Sequence, residues 1–308
     1  MNTYLLTVHK KGSILIRYTE RWGVPHPYEK ESFNMKKIIA LIMAMAMVLC
    51  LAACGSNGTA GSGSASGDVS GDPAAYTTVE AGKLIMSTNA EFPPYEMKAD
   101  DEGAYKGFEG IDVEIAVALA DKLGLELVID DMGFDSALLA VQEGRSDMVL
   151  AGLTYREDRD EVMDFSTSYA TGVQVVIVKE GSDVTMDNLG EKMIGCQIGT
   201  TGYIYAGDSV ENGGYGEDHV LGYDNGALAV QALMNGQIDA VIIDNGPAQA
   251  YVKANPGLAI LEGEWVTEDY CLAVDEGNTA LLEALNTALE SMIADGTIQT
   301  IVDKYITE

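Results

Sequence analysis

From Ala74 onward, short apolar runs alternate with segments whose apolar residues recur every three to four positions. Ile111, Ile115, Leu119 and Leu123 fall on one face at that spacing, which predicts a helix over Ile111–Leu123. Gly124 stands where such a helix ends in left-handed backbone. Apolar runs at 84–87 and 125–129 predict strands on either side. Near the end, the pattern predicts a long helix over Thr279–Ala294 and a shorter one over 298–305, packing back on the first lobe. The alternation predicts an α/β fold of mainly parallel sheets flanked by helices.

One unit of this pattern occurs twice. Residues 137–150 read ALLAVQEGRSDMVL and residues 229–242 read AVQALMNGQIDAVI. Each is an amphipathic helix, a glycine (Gly144, Gly236), two residues, an aspartate (Asp147, Asp239) and an apolar strand. The repeat predicts two lobes of similar build. In open α/β sheets ligands sit beyond the carboxyl ends of strands. The segments just past these two strands, 151–154 and 243–246, therefore predict a cleft between the lobes.

Before the alternating region the pattern changes. Lys36-Lys37 precedes an uncharged apolar run over 38–53, 16 residues long. A spanning helix needs about 20, so the run reads as a secretory signal. It ends in Leu51-Ala52-Ala53-Cys54-Gly55, which resembles a bacterial lipobox and makes Cys54 the expected lipidated first residue. Met35 is the natural start of this signal, and residues 1–34 read as a mis-called or non-native extension. Residues 54–73 read as the lipidated cysteine and a flexible Gly/Ser linker.

Charge narrows the function. The chain has 18 Lys+Arg against 48 Asp+Glu, a net −30. Past Cys54 there remain 11 Lys+Arg against 45 Asp+Glu, so the exported part carries −34. Nucleic acid needs a basic face and is excluded as a partner. Contact with the membrane is expected through the lipid anchor alone. Of three histidines only His219 is exported, in a glycine-rich acidic loop, and no metal or cofactor is expected. Cys196 and Cys271 read equally as a disulfide or as two buried thiols.

Several short motifs carry chemistry. Arg159 lies five residues past Thr154 and can present a planar fork to a carboxylate. On residues alone it reads equally as an ion-paired surface group, with Arg156 beside it on the surface. Asp244 before Asn245-Gly246-Pro247 reads first as a helix N-cap. Gly199-Thr200-Thr201-Gly202 is a strand-to-helix turn whose free N–H groups suit an anion. No Lys follows it as in a P-loop, which excludes a nucleotide site of that type.

Taken in order, Thr88-Asn89-Ala90-Glu91-Phe92-Pro93-Pro94-Tyr95-Glu96, Gly107-Phe108-Glu109-Gly110-Ile111-Asp112, Thr154 to Arg159, Asp164-Phe165-Ser166, Gln197-Ile198-Gly199-Thr200-Thr201 and Asp239-Ala240-Val241 resemble extracytoplasmic solute-binding protein family 3. These are the polar amino acid ABC transporter substrate-binding lipoproteins. The resemblance covers the chain from about Ala81. It implies a two-lobed periplasmic-binding-protein-like fold of type II. Lobe one would hold 74–168 and 271–308. Residues 169–270 would hold lobe two and the hinge segments, with crossings near 169–173 and 266–270.

The resemblance also implies the site. Arg159 would take a ligand carboxylate, with the Thr154 hydroxyl, the Gly152 backbone, Thr201 and Thr200 close by. Asp244 would accept the α-ammonium. Phe92 and Phe134 would sandwich the side chain, and Gln197 would touch it. Asn89 departs from the family pattern, in which an Asp is common. The implied ligand is a free L-α-amino acid with a neutral polar or cationic side chain. The implied partners are the permease subunits of an ABC transporter at the outer membrane face, with the binding protein a monomer. The rival is an enzyme on the same fold, similar to a cyclohexadienyl dehydratase.

Overall fold

Strand β1 (Lys83–Thr88) opens the fold and is buried from Leu84 onward. Residues 76–100 and 103–306 are described in this computed structural model, all within the unit Val69–Glu308. The expected extension 1–34, signal 35–53, Cys54 and the linker 54–73 lie outside the described residues. Three short strands follow β1 and form a small antiparallel sheet: β2 (Glu91–Phe92), β3 (Glu96–Lys98) and β4 (Phe108–Glu109).

Helix α1 (Ile111–Leu123) forms where the apolar period predicts it. Ile111, Ile115 and Leu119 are fully buried. Asp112 and Glu114 occupy its first turn, where the helix dipole favours acids, and Gly124 ends it at φ 69°. Then come β5 (Glu126–Asp131), α2 (Phe134–Gln142), β6 (Met148–Val149), α3 (Glu157–Asp160) and β7 (Met163–Phe165).

Strand β8 (Ala170–Lys179) carries the chain into a second sheet. There it runs through β9 (Ile194–Gln197), α4 (Thr201–Gly207), β10 (Val220–Tyr223), α5 (Gly226–Met234), β11 (Ala240–Asp244), α6 (Asn245–Ala254) and β12 (Leu258–Ile260). Strand β13 (Val266–Tyr270) carries it back, and β14 (Ala273–Asp275) rejoins the first sheet. Helices α7 (Thr279–Ala294) and α8 (Thr297–Tyr305) pack on α1 through Leu281, Leu285, Leu289, Ile298 and Ile301.

The first sheet has the order β5-β1-β6-β14-β7 and the second β10-β9-β11-β8-β12. Most strands in each point one way, as the alternation predicts. One strand in each runs against its neighbours: β14 in the first and β8 in the second. Both are the strands that enter a sheet from the other lobe. That arrival direction reverses them, and no local period could show it. The two crossings pair with each other as an antiparallel ribbon, Ala170 opposite Tyr270 and Gln174 opposite Val266.

The repeated unit does the same work in each lobe. After the glycine turns at Gly144 and Gly236, the Asp147 carboxylate accepts from the Ile85 N–H (2.7 Å) and that of Asp239 from the Met193 N–H (2.9 Å). Each aspartate thus ties its own strand to the start of the neighbouring one. The second sheet is covered on both faces, so β8 is almost wholly apolar: Val175 and Ile177 face one core, Val176 and Val178 the other. Cys196 and Cys271 are two buried thiols, pushed up to about 12 and about 11 by that burial.

Candidate functional site

A cavity lies between the two sheets, and all ten residues expected at the site border it. They cluster because the parallel strands of both lobes end there. Asn89 follows β1, Gly152 and Thr154 follow β6, Gln197 ends β9, and Asp244 ends β11. Thr200 and Thr201 begin α4, and Phe134 begins α2.

Arg159 sits in the short α3 and is only 7% exposed. Its Nη1 donates to the Thr154 carbonyl (2.8 Å) and its Nη2 to the Gly199 carbonyl (2.9 Å). Its guanidinium lies 5.7 Å from the Phe134 ring centre. None of the ion pairs among the described residues involves it. The reading as an ion-paired surface group therefore fails. Desolvation, with the Arg156 charge second, lowers its pKa to about 10, so it stays a cation at neutral pH.

Arg156 is the correction beside it. It was expected on the surface, yet its side chain is only 14% exposed. It grips Asp158 with two nitrogens (2.8 and 3.0 Å) and lies over the Tyr205 ring of the second lobe at 5.1 Å. The lobes meet again where Gln197 Nε2 donates to Asn89 Oδ1 (2.9 Å) and Asn225 Nδ2 donates to Glu91 Oε2 (2.8 Å). Asn89 uses its own amide on the Met132 carbonyl (3.0 Å).

Asp244 occupies the N-cap position of α6, but its side chain makes no capping bond. It accepts instead from Gln174 Nε2 (2.7 Å) and is 5% exposed. Burial raises its pKa to about 7 and the Glu268 charge adds to that, while the neighbouring Tyr270 phenol and the Gln174 amide oppose them. Thr200 has a structural duty as well: its Oγ1 accepts the Tyr203 N–H (3.3 Å) as the N-cap of α4 and donates to the Gln197 carbonyl (2.8 Å).

Gly152, at φ 51°, leaves room for Phe92. A Cβ there would lie 2.8 Å from the Phe92 ring. Its N–H binds Asp112 Oδ2 (2.8 Å), which fixes the loop after β6.

Three polar groups went unnoticed in the sequence. Glu268, on the returning crossing β13, accepts at one oxygen from Thr154 (3.1 Å), Thr201 (2.9 Å) and Gln174 (3.1 Å). It thereby ties Thr154 of the first lobe and Thr201 of the second to the ribbon of β8 and β13. Gln174 is a lone amide at the head of the apolar run of β8, a signal that could have marked it. Glu96 is 1% exposed and borders the cavity. It stands in the quoted Pro93-Pro94-Tyr95-Glu96 landmark, at the buried start of β3, whose other end at Lys98 is exposed.

His219 does not border the cavity; its Nδ1 lies 3.4 Å from the Lys192 carbonyl. Among the described residues no group of three or more His, Cys, Asp or Glu is placed to hold a metal ion, and no helix is long and apolar enough to cross a membrane. What the cavity offers is one fixed guanidinium, a row of buried oxygen acceptors and two aromatic walls.

The profile of the bacterial extracellular solute-binding proteins, family 3, matches residues 84–308. The chain is 33% identical to the L-cystine-binding protein TcyJ of Escherichia coli over 73% of its own length and 83% of that protein. Among solved structures it is similar to an ancestral arginine-binding protein bound to arginine, with 38% identity and TM-score 0.66. That match covers 73% of this chain and 98% of the other. It is also similar to the arginine-, lysine-, histidine-binding protein ArtJ of Geobacillus stearothermophilus, with 30% identity and TM-score 0.66. There the coverage is 73% and 96%.

Proposed function

The chain belongs to the bacterial extracellular solute-binding proteins of family 3, and from that premise we propose that it captures a free L-α-amino acid between its lobes and delivers it to an ABC permease. One observation carries the reading: a buried guanidinium without a carboxylate partner and a buried carboxylate without a cation border the same interlobe cavity. Carbonyls take two of the five N–H groups of Arg159, and the rest suit a ligand carboxylate, with Thr154 and Thr201 near. Asp244 suits the α-ammonium. Asn89, Phe92, Phe134 and Gln197 line the remaining wall and hold no cation for a second carboxylate. Aspartate and glutamate are therefore poor ligands. The relatives' names, which include cystine, arginine, lysine and histidine, support a neutral polar or cationic side chain.

Capture works by population shift. The ligand touches both lobes only when they are closed, so it favours the closed arrangement by its differential affinity. The ribbon of β8 and β13 is the hinge this requires. A thermal-shift screen of the twenty amino acids tests the reading. At a hundredfold excess over Kd the true ligand adds about 2.7 kcal/mol. That raises Tm by roughly 5–10 °C for a domain of this size. X-ray scattering should show a smaller radius of gyration with the same ligand. No stabilisation by any amino acid, or no compaction at saturation, overturns it.

The anchor belongs to the proposal too. Cys54 ends the apolar signal run in the lipobox-like Leu-Ala-Ala-Cys. Mass spectrometry of membrane-extracted protein should find Cys54 acylated at the mature N-terminus. A mature form beginning at another residue refutes the anchor and leaves the binding site untouched.

A further inference from the structure

Several contacts between the lobes are made by residues that also border the cavity. Gln197 binds Asn89, and Arg159 reaches across to the Gly199 carbonyl. Two side-chain contacts lie outside it. In one, Asn225 Nδ2 donates to Glu91 Oε2, but Glu91 is exposed and water competes for its carboxylate. The other sets Arg156 of lobe one over the ring of Tyr205 of lobe two, and neither residue borders the cavity.

This second contact is built on both sides. Arg156 stands just before α3, and Asp158 of its own lobe holds its Nε and Nη2. The guanidinium is thus aimed before the lobes meet. Asp158 is itself 62% exposed, whereas the Arg156 side chain is 14% exposed and its Nη1 is buried without a hydrogen-bond partner. Tyr205 lies in α4 and is half-buried. A guanidinium over an aromatic face gains most where water is excluded. Opening the cleft carries α4 away from α3 and returns both groups to solvent.

We infer that Arg156 and Tyr205 form a latch beside the cavity, which holds the lobes closed without touching the ligand and so sets how long any ligand is kept. This rests on the amino acid reading above and deepens it. Apparent affinity scales with the population of the binding-competent form. A latch that favours closure therefore tightens every ligand by the same factor and leaves the ratios between ligands unchanged. Ligand enters while the lobes are open and the latch is broken, so the association rate is untouched and the dissociation rate carries the effect.

The test uses the purified full-length protein with every amino acid that stabilises it in the thermal screen, L-arginine and L-glutamine first, by calorimetry and stopped-flow fluorescence. Glutamine has no net charge, so removing a cation does not alter its steering. Arg156→Gln, which can still donate to Asp158, should weaken each ligand by about three- to thirtyfold, through the dissociation rate. Tyr205→Leu should do the same from the other lobe. The double variant should be no weaker than the weaker single one, because both remove one contact. Arg156→Lys restores a cation over the ring and should fall between the native protein and Arg156→Gln. A distortion confined to α3 and Arg159 would give losses that do not depend on Tyr205. Additive losses, a loss carried by the association rate, or either single variant within twofold of native affinity overturns the latch while the amino acid reading stands. Binding of no amino acid by the native protein removes that reading and the latch with it.

Discussion

Arg159→Ala should weaken amino acid binding by about 2–5 kcal/mol, a loss of roughly thirtyfold or more, with the protein still folded. Removing the guanidinium leaves a ligand carboxylate desolvated in the cavity with hydroxyls and backbone groups alone. It also leaves the Thr154 and Gly199 carbonyls without their donor, which costs about 1–3 kcal/mol of stability at each that water cannot reach. The release of a buried charge offsets part of that cost. Arg159→Lys separates the two effects. Its ammonium keeps the charge but cannot hold two carbonyls in a planar fork and present a second edge to a carboxylate. Its affinity should fall between those of the native protein and Arg159→Ala. Calorimetry that finds the alanine variant within threefold of the native affinity would put the carboxylate elsewhere.

The largest loss of stability is expected at a glycine. Gly110 precedes α1 at φ 128° and ψ 172°, backbone that residues with a Cβ avoid. A Cβ there would overlap the Tyr95 carbonyl oxygen and lie 2.6 Å from its carbon and 3.0 Å from the Glu96 Cα. These are backbone atoms and cannot rotate away. The Tyr95 carbonyl also accepts the Asp112 N–H (2.9 Å), and its neighbour, the Pro94 carbonyl, accepts the Ile111 N–H (3.1 Å), at the start of the helix. Gly110→Ala should therefore cost about 3 kcal/mol and lower Tm by roughly 6–12 °C. Gly124→Ala is the control: its φ is also positive, at 69°, but nothing lies within 4 Å of the new Cβ. That variant should lose only about 1 kcal/mol. Equal losses in the two would mean that the contact with β3 is not what constrains Gly110.

The periodic elements were legible in the sequence because their cause is local. The apolar spacing of α1 and the glycine after it require nothing beyond neighbouring residues, and the helix spans Ile111–Leu123 as the spacing predicts. The repeated helix–glycine–aspartate–strand unit announced two similar lobes for the same reason. Its strand ends pointed to the cleft, and the resemblance motifs supplied the ten residues that border it. What remained hidden depends on residues far apart in the chain. Glu268 gathers Thr154 from 114 residues away and Thr201 from 67. Nothing in Val-Thr-Glu-Asp-Tyr marks it over Asp269, because which side of a crossing strand faces the cleft is set by its pairing with β8. Arg156 was misplaced because the aromatic ring that shelters it belongs to the other lobe. Glu96 lay in a motif already in view, yet its burial beside Asp112 exists only once β3 and α1 pack together. Sequence alone thus determined the main elements, the two-lobed α/β fold and the residues that border the cavity. The tertiary structure decided the direction of β8 and β14, the thiol state of the cysteines and the burial of Glu96, Gln174 and Glu268, since each depends on which distant groups pack against one another.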